Sequence, residues 1–347
     1  MDKKQIRAIL YAFLAVVFYA INIPISKILL QKVGPTTMAA LLYLGAGIGI
    51  GMLSLFNRID KETYEKLSKK DFPFVIGMIV LDIAAPIFLM LGISYGSSAN
   101  ASLLGNFEIV ATTIIALFVF KEVVSKRLWG AIALITFSSI LLSLEGADSF
   151  KFSYGSLFVL LATVCWGFEN NCTRNIASKS TYEIVVLKGI FSGLGSLLIA
   201  VIKRESLPGF MYIAAALLLG FVAYGLSIFL YVRAQNVLGA AKTSAYYAVA
   251  PFVGAFLSFI FLQESLSWMY IVALTVMIGG SALVVADTLI RHHAHQHSHT
   301  FAHTHDGSTH THTVIHEHEH NHYVTDSRHG HRHTLTELES LPGAMHL

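Results

Sequence analysis

Four ionisable side chains lie inside long apolar segments of the sequence: Asp82, Glu108, Glu169 and Lys188. At hydrocarbon depth such a residue costs at least ~2.5 kcal/mol on insertion scales, so it usually faces the interior of a helical bundle or a wet space. A carboxylate there can carry a proton during exchange, or bind the ammonium of an amine or amino acid. Three acids against one base favour a cationic or zwitterionic cargo over an anion.

Other polar residues fall at helical spacing from these acids or on equivalent segments. Glu108 shares a face with Asn100, and Glu169 shares one with Trp166 and Asn170. The predicted substrate-binding residues are Tyr19, Asn22, Asp82, Asn100, Glu108, Trp166, Glu169, Asn170 and Tyr246. The alternative is structural, with Lys188 pairing a carboxylate and the asparagines holding helices together. We favour that structural role for Lys188.

A second chemistry lies at the carboxyl end, where all 17 histidines follow Arg291. The His-X-His repeats predict a metal-binding tail, since neutral imidazole is a good ligand for zinc and nickel. The predicted ligands are His293, His295, His297, His299, His303, His305, His310, His312, His316, His318, His320 and His322. The tail has almost no large apolar residues, so we expect it to be disordered alone. A pH-responsive polycation and an inert extension are the alternatives.

The elements that position the buried acids are transmembrane helices. The chain is 54% hydrophobic and 13% charged, whereas a soluble domain has about 25% charged residues. Apolar stretches long enough to cross ~30 Å of hydrocarbon recur with short polar breaks. The ten predicted spans are 6–30, 36–56, 73–95, 98–120, 127–144, 153–175, 181–202, 208–232, 240–262 and 268–290.

Lysine and arginine in the loops predict the orientation, because cytoplasmic loops carry an excess of both. With a cytoplasmic amino end and an even number of spans, both termini face the cytoplasm. The inside segments then carry Lys3, Lys4, Arg7, Arg58, Lys61, Lys66, Lys69, Lys70, Lys121, Lys126, Arg127, Arg174, Lys179, Arg233 and Arg291. The outside loops carry only Lys32, Lys151, Lys203 and Arg204.

The two halves of the chain resemble each other. The fourth span ends in Lys121-Glu122 and the ninth in Gln263-Glu264, 142 residues later. The second and seventh spans both carry glycines four residues apart, which we interpret as helix-packing sites. Five spans per copy is an odd number, so the second copy must be inverted, as in many secondary transporters. We predict two five-helix repeats, 1–147 and 148–290, and a tail over 291–347.

This pattern resembles the EamA-type domain of the drug/metabolite transporter superfamily over roughly residues 6–290, in two copies. The residues that carry the resemblance are Tyr19…Asn22…Ser26-Lys27, Trp166-Gly167, Lys121-Glu122 and Gln263-Glu264. The resemblance implies a secondary transporter that moves small metabolites, often outward, through a space between the repeats. It leaves the substrate open, and most such transporters lack a tail of this kind.

The first hypothesis is therefore an all-α integral membrane carrier, multi-pass in the cell membrane, that exports a small metabolite such as an amino acid or amine. The alternative is a divalent-metal (Zn, Ni or Co) transporter or metal-regulated permease, and a membrane receptor or metal-buffering anchor is a third class. No P-loop, dinucleotide fingerprint or nucleophile constellation appears, so we expect no enzyme activity and no required cofactor. The expected partners are the substrate, the lipid bilayer, metal ions at the tail and a second copy of the chain, and no nucleic acid.

Overall fold

The computed structural model describes residues 3–56, 68–121, 124–144, 152–176, 181–265, 267–305 and 308–323. It divides into two compact units, Met1–Asp287 and Thr288–Leu347. Glu122, the charged loop 57–67 and the predicted repeat boundary at 147–148 lie outside the described residues.

The described part of the first unit consists of helices, apart from one isolated β-bridge between Leu144 and Phe152. Its α-helices are α1 Lys3–Ala20, α2 Asn22–Leu29, α3 Pro35–Phe56, α4 Phe72–Tyr95, α5 Ser98–Leu104, α6 Phe107–Phe120, α7 Lys126–Ser143, α8 Tyr154–Asn175, α9 Thr181–Leu187, α10 Gly193–Ile202, α11 Phe210–Gly220, α12 Ser227–Leu238, α13 Ala240–Tyr247, α14 Ala250–Leu262 and α15 Trp268–Thr288. Two π-helical segments, Lys188–Ser192 and Phe221–Leu226, join α9 to α10 and α11 to α12.

Nine segments of the described chain are long and apolar enough to cross a membrane. They coincide with nine of the ten predicted spans, and the tenth prediction, 153–175, coincides with α8. Polar residues near the end of α8, from Glu169 to Asn175, lower its hydropathy below that of the other nine. Because α8 packs along both α4 and α6, much of its surface faces protein and needs less apolar character.

Two of the candidate spans are interrupted in their first half. α5 gives way to α6 at Gly105 and Asn106, and α13 gives way to α14 at Ala248 and Val249. Asn106 and Ala248 are 142 residues apart, the same shift that relates the two halves of the sequence. Pro251 lies in the first turn of α14, where its nitrogen needs no backbone hydrogen-bond partner, so it is compatible with a helix that begins here. The shared position of the breaks is independent support for duplication.

The helix contacts are duplicated as well. α4 packs along α8, and the corresponding contact of the other half is that of α1 with α12. In the same way, the contact of α6 with α8 corresponds to that of α1 with α14. In both pairs a helix from one half lies against a helix from the other, so the halves are interleaved rather than separate.

Glycine permits a close approach between α3 and the first π-helical segment. Gly47 of α3 and Gly189 of the first π-helical segment are also 142 residues apart, and they face each other directly. A Cβ built on Gly189 would lie 2.5 Å from the Cα of Gly47, well inside contact distance. The interpretation of these glycines as packing sites therefore agrees with the structure.

The second unit differs from the prediction of a disordered tail. Two antiparallel strands, β1 Ile290–His305 and β2 Ser308–Tyr323, form a hairpin with Ile290 opposite Tyr323 and His305 opposite Ser308. The prediction rested on the missing hydrophobic core and overlooked the two-residue alternation of the sequence, which suits extended backbone. The intervening pair, Asp306-Gly307, is a sequence that favours two-residue hairpin connections.

Candidate functional site

An ion-paired triad joins the two halves of the helical unit. Lys188 donates to Glu169 Oε1 of α8 at 2.8 Å and lies 3.2 Å from Asp82 Oδ2 of α4. The Asp82 side chain is fully buried and that of Glu169 is 3% exposed. Tyr43 donates its hydroxyl to Asp82 at 3.0 Å, and Thr173 donates to Glu169. The structural pairing expected for Lys188 thus involves two carboxylates rather than one.

Glu108 has a different environment, although it lies close enough to the triad for electrostatic interaction. It occupies the first turn of α6, immediately after the interruption at Gly105 and Asn106. Its Oε1 accepts a hydrogen bond from Asn170 Nδ2 at 2.7 Å, and the same amide donates to Thr112 Oγ1 at 3.2 Å. Within the described chain Glu108 makes no ion pair, so its partners there are neutral.

Several tyrosine rings lie near this carboxylate. Tyr19 lies 5.5 Å from Tyr247 and 6.1 Å from Tyr224, measured between ring centroids. Tyr224 lies 5.5 Å from Tyr43, which connects the rings to Asp82. Glu108 is near enough to Tyr19, Tyr224 and Tyr247 to interact electrostatically with all three.

Hydrogen bonds fix the positions of these rings. Asn22 of α2 donates its amide to the Tyr224 hydroxyl at 3.0 Å. The Tyr247 hydroxyl and Ser227 Oγ are 3.0 Å apart. Trp166 Nε1 of α8 donates to the Tyr43 hydroxyl at 3.4 Å, a long bond. The rings are therefore held by partners from different helices, which favours a preorganised arrangement.

We call this set the central cluster. Its members are Tyr19, Asn22, Tyr43, Asp82, Glu108, Trp166, Glu169, Asn170, Lys188, Tyr224 and Tyr247. Tyr19, Glu108, Tyr224 and Tyr247 are only half-buried in the helical unit, so a part of each side chain remains accessible.

The structure brings seven of the nine predicted residues into the central cluster and places two elsewhere. Asn100 donates its amide to the backbone carbonyl of Leu142, which ties α5 to α7. Tyr246 is 38% exposed on the outside of α13, and its neighbour Tyr247 faces the cluster instead. For Asn100 the contacts support the helix-joining alternative, and for the tyrosine pair the structure places Tyr247 rather than Tyr246 in the cluster.

Sequence reasoning also missed Tyr43 and Tyr224. The repeat offered a signal for the second, because Asp82 shifted by 142 residues is Tyr224. No comparable signal marked Tyr43, whose helix α3 is apolar and glycine-rich around it.

Metal chemistry has no candidate in the described part of the helical unit, where no three His, Cys, Asp or Glu side chains are grouped to hold an ion. The twelve predicted histidine ligands lie in β1 and β2, and their side chains are outside what the structure describes.

Comparison with known proteins agrees with the duplicated architecture. The sequence profile of the EamA-like transporter family matches twice, over residues 6–144 and 153–286. An uncharacterized transporter of Methanothermobacter thermautotrophicus (strain Delta H) is 24% identical over an alignment of 285 residues, which covers 77% of this chain and 82% of the relative. A protein solved by crystallography superposes with a TM-score of 0.59 at 17% identity, covering 81% of this chain and 96% of the other, and shares the fold.

Proposed function

Because the chain belongs to the EamA-like transporter family, we propose that it is a secondary transporter of a small organic cation or zwitterion, such as an amine or amino acid. The substrate binds at the central cluster, between the two repeats. Export is the direction that the family resemblance implies.

The observation that supports this substrate class is the environment of Glu108. Asp82 and Glu169 share Lys188, whereas Glu108 has only neutral hydrogen-bond partners among the described residues. Tyr19, Tyr224 and Tyr247 lie around it, and aromatic faces attract cations by ~0.5–2 kcal/mol each. A carboxylate with neutral partners and several half-buried rings near it are groups that can bind an ammonium ion.

Proton exchange at Glu108 provides the coupling in this proposal. Protonation of the carboxylate removes the charge that holds the ammonium group, so proton uptake and substrate release occur at the same side chain. The Asp82–Lys188–Glu169 triad stays paired in this proposal and keeps the two repeats in contact. The repeats move against each other around it during alternating access.

We further propose ten spans, α8 among them, arranged as two inverted repeats with both termini in the cytoplasm. The fifteen-to-four distribution of lysine and arginine supports this orientation. The duplicated helix contacts and interruptions support two equivalent units.

A ligand-stabilisation screen on the detergent-purified protein tests the substrate class. We expect primary amines and amino acids to raise the melting temperature, and carboxylates without an amino group to leave it unchanged. The Tyr247→Phe variant should keep the stabilisation only in part, because it loses the bond that orients the ring. Tyr246→Phe is the matched control, since that exposed hydroxyl lies outside the cluster. Stabilisation by anions alone would contradict the proposal.

Transport of a divalent metal ion is the alternative, and reconstituted liposomes separate it from amine transport. Zn²⁺ uptake by the full-length protein is measured beside exchange of the stabilising amine. Metal uptake that is lost in Glu108→Gln, without amine exchange in the unmodified protein, would favour the alternative.

A further inference from the structure

The register of the second unit gathers the histidines of the tail on one face of the hairpin. Residues directly opposite each other in an antiparallel pair lie on the same face, and so do residues two apart along each strand. In β1 the odd-numbered residues share a face with the even-numbered residues of β2, because His293 is opposite His320. All twelve histidines predicted as ligands fall on that face.

The opposite face has a different composition. It carries His292 as its one histidine, and its remaining positions are mainly threonine, alanine and acidic residues such as Glu317 and Glu319. The alternation of the sequence alone does not produce this segregation. A register shifted by one residue would put the histidines of the two strands on opposite faces.

Four cross-strand positions pair histidine with histidine, and three of them are consecutive on the face. These three rungs are His293–His320, His295–His318 and His297–His316. The fourth rung, His303–His310, has His305 and His312 two residues away on the same face. Neighbouring rungs are ~6.6–6.8 Å apart along the strands and opposite Cβ atoms ~4.5–5.5 Å apart, a spacing that two rungs can close around one ion.

We propose that this face is a ladder of binding sites for divalent transition-metal ions of the zinc and nickel class. One site lies within the three consecutive rungs, and a second lies at the His303–His310 rung. Zinc takes four ligands in tetrahedral geometry, and imidazole nitrogen is among its preferred donors. The proposal does not depend on the transport function, since it concerns the tail alone.

Metal binding also accounts for a hairpin of this length without a core. A lone two-stranded hairpin is marginally stable in water. An ion that binds the paired strands and not the extended chain stabilises the hairpin by mass action. Binding and strand pairing are therefore linked, which distinguishes the ladder from a flexible chelating segment.

Equilibrium dialysis of the detergent-purified full-length protein against Zn²⁺ tests the ladder. We expect at least two ions per chain, and Mg²⁺ should not compete because it prefers oxygen ligands. The His293→Asn/His320→Asn double variant should weaken Zn²⁺ binding at the first site by about tenfold or more, equivalent to ~1.4 kcal/mol. His292→Asn, one residue away on the opposite face, is the matched control and should bind as the unmodified protein does.

A variant that exchanges three histidines of β2 with the residues that follow them separates the ladder from a flexible chelator: His316→Glu/Glu317→His, His318→Glu/Glu319→His and His320→Asn/Asn321→His. It retains the composition of the tail and moves these histidines to the opposite face of the hairpin, so it should weaken Zn²⁺ binding as strongly as the double variant. Hydrogen exchange should slow in both strands when Zn²⁺ is added. Unchanged affinity after the exchange, equal losses for His292→Asn and the rung variant, or no protection on adding Zn²⁺ would each overturn the proposal.

Discussion

Replacing Lys188 by methionine should be among the most destabilising single changes in the helical unit. The substitution keeps the length of the side chain and removes the cation that lies 2.8 Å from Glu169 and 3.2 Å from Asp82. Removing one partner of a buried ion pair costs ~3–5 kcal/mol, because it leaves an uncompensated charge. In this variant two carboxylates remain, although Tyr43 and Thr173 still donate to them. We therefore expect a loss of about 3 kcal/mol or more.

The same geometry predicts an order among the neighbouring variants. Asp82→Asn leaves the Lys188–Glu169 pair intact, so it should cost only ~1–3 kcal/mol, the range for a disturbed buried hydrogen bond. The neutral triple variant, Asp82→Asn/Glu169→Gln/Lys188→Met, should recover part of the loss of the single Lys188→Met, since no unpaired charge remains.

The free energy of unfolding is measured by titrating dodecyl maltoside micelles with dodecyl sulfate and following helix content. Lys126→Met, at the exposed start of α7, controls for replacing a lysine by an apolar residue. A Lys188→Met loss no larger than that of this control, or a triple variant less stable than Lys188→Met, would refute the account of the triad.

Three further predictions concern contacts outside the central cluster. Glu264→Gln should destabilise the protein by ~1–2 kcal/mol, because its carboxylate accepts three hydrogen bonds at the amino end of α5; the micelle titration measures this loss. Gly189→Ala should cost ~1–3 kcal/mol by overpacking, whereas Gly279→Ala, whose added Cβ meets its nearest atom at 3.8 Å, should be nearly neutral in the same titration. Burial raises the pKa of Glu205, but hydrogen bonds from the first turn of α3 outweigh burial and lower the pKa from its ordinary 4.5. The unmodified protein should therefore be thermally more stable than Glu205→Gln above about pH 5. This difference in stability should vanish as the pH falls through the lowered pKa.

Long helices were the part of the fold that sequence predicted best, because a membrane demands an apolar stretch of nearly fixed length. Helix α8 was predicted in the right place, although its composition is less apolar than that of the other spans. Its position was predicted within one residue, yet its polar end from Glu169 onward gives it a lower hydropathy than the other nine. A helix that buries its polar face against α4 and α6 does not need the composition of a lipid-facing one.

The acids of the central cluster were predictable because ionisable residues are expensive in hydrocarbon and so seldom lack a function or a partner. Tyrosine gives no such signal, since it occurs in cores, at interfaces and in binding sites alike. The choice of Tyr246 over Tyr247 shows the cost of this ambiguity, because one residue is ~100° of helix rotation. The sequence predicted that Lys188 pairs with a carboxylate, but only the structure shows that it joins two carboxylates from different helices.

The structure of the tail differs from its prediction for another reason. Composition predicted disorder because the segment lacks apolar residues, while the alternation of histidine with other residues already had the period of a strand. The pairing of His293 with His320 depends on the register, and composition carries no information about register.

Counterflow of a labelled amine in proteoliposomes that contain Glu108→Gln tests the central claim most directly. Glutamine keeps the shape and the hydrogen bond to Asn170 while removing the charge proposed to hold the ammonium group. We expect counterflow to fall by about tenfold or more, as for the loss of ~1.4 kcal/mol of binding. Asn100→Ala, which changes a residue outside the central cluster, should retain transport in proportion to its folded fraction. Normal counterflow by folded Glu108→Gln would contradict the assignment of this cluster as the substrate site.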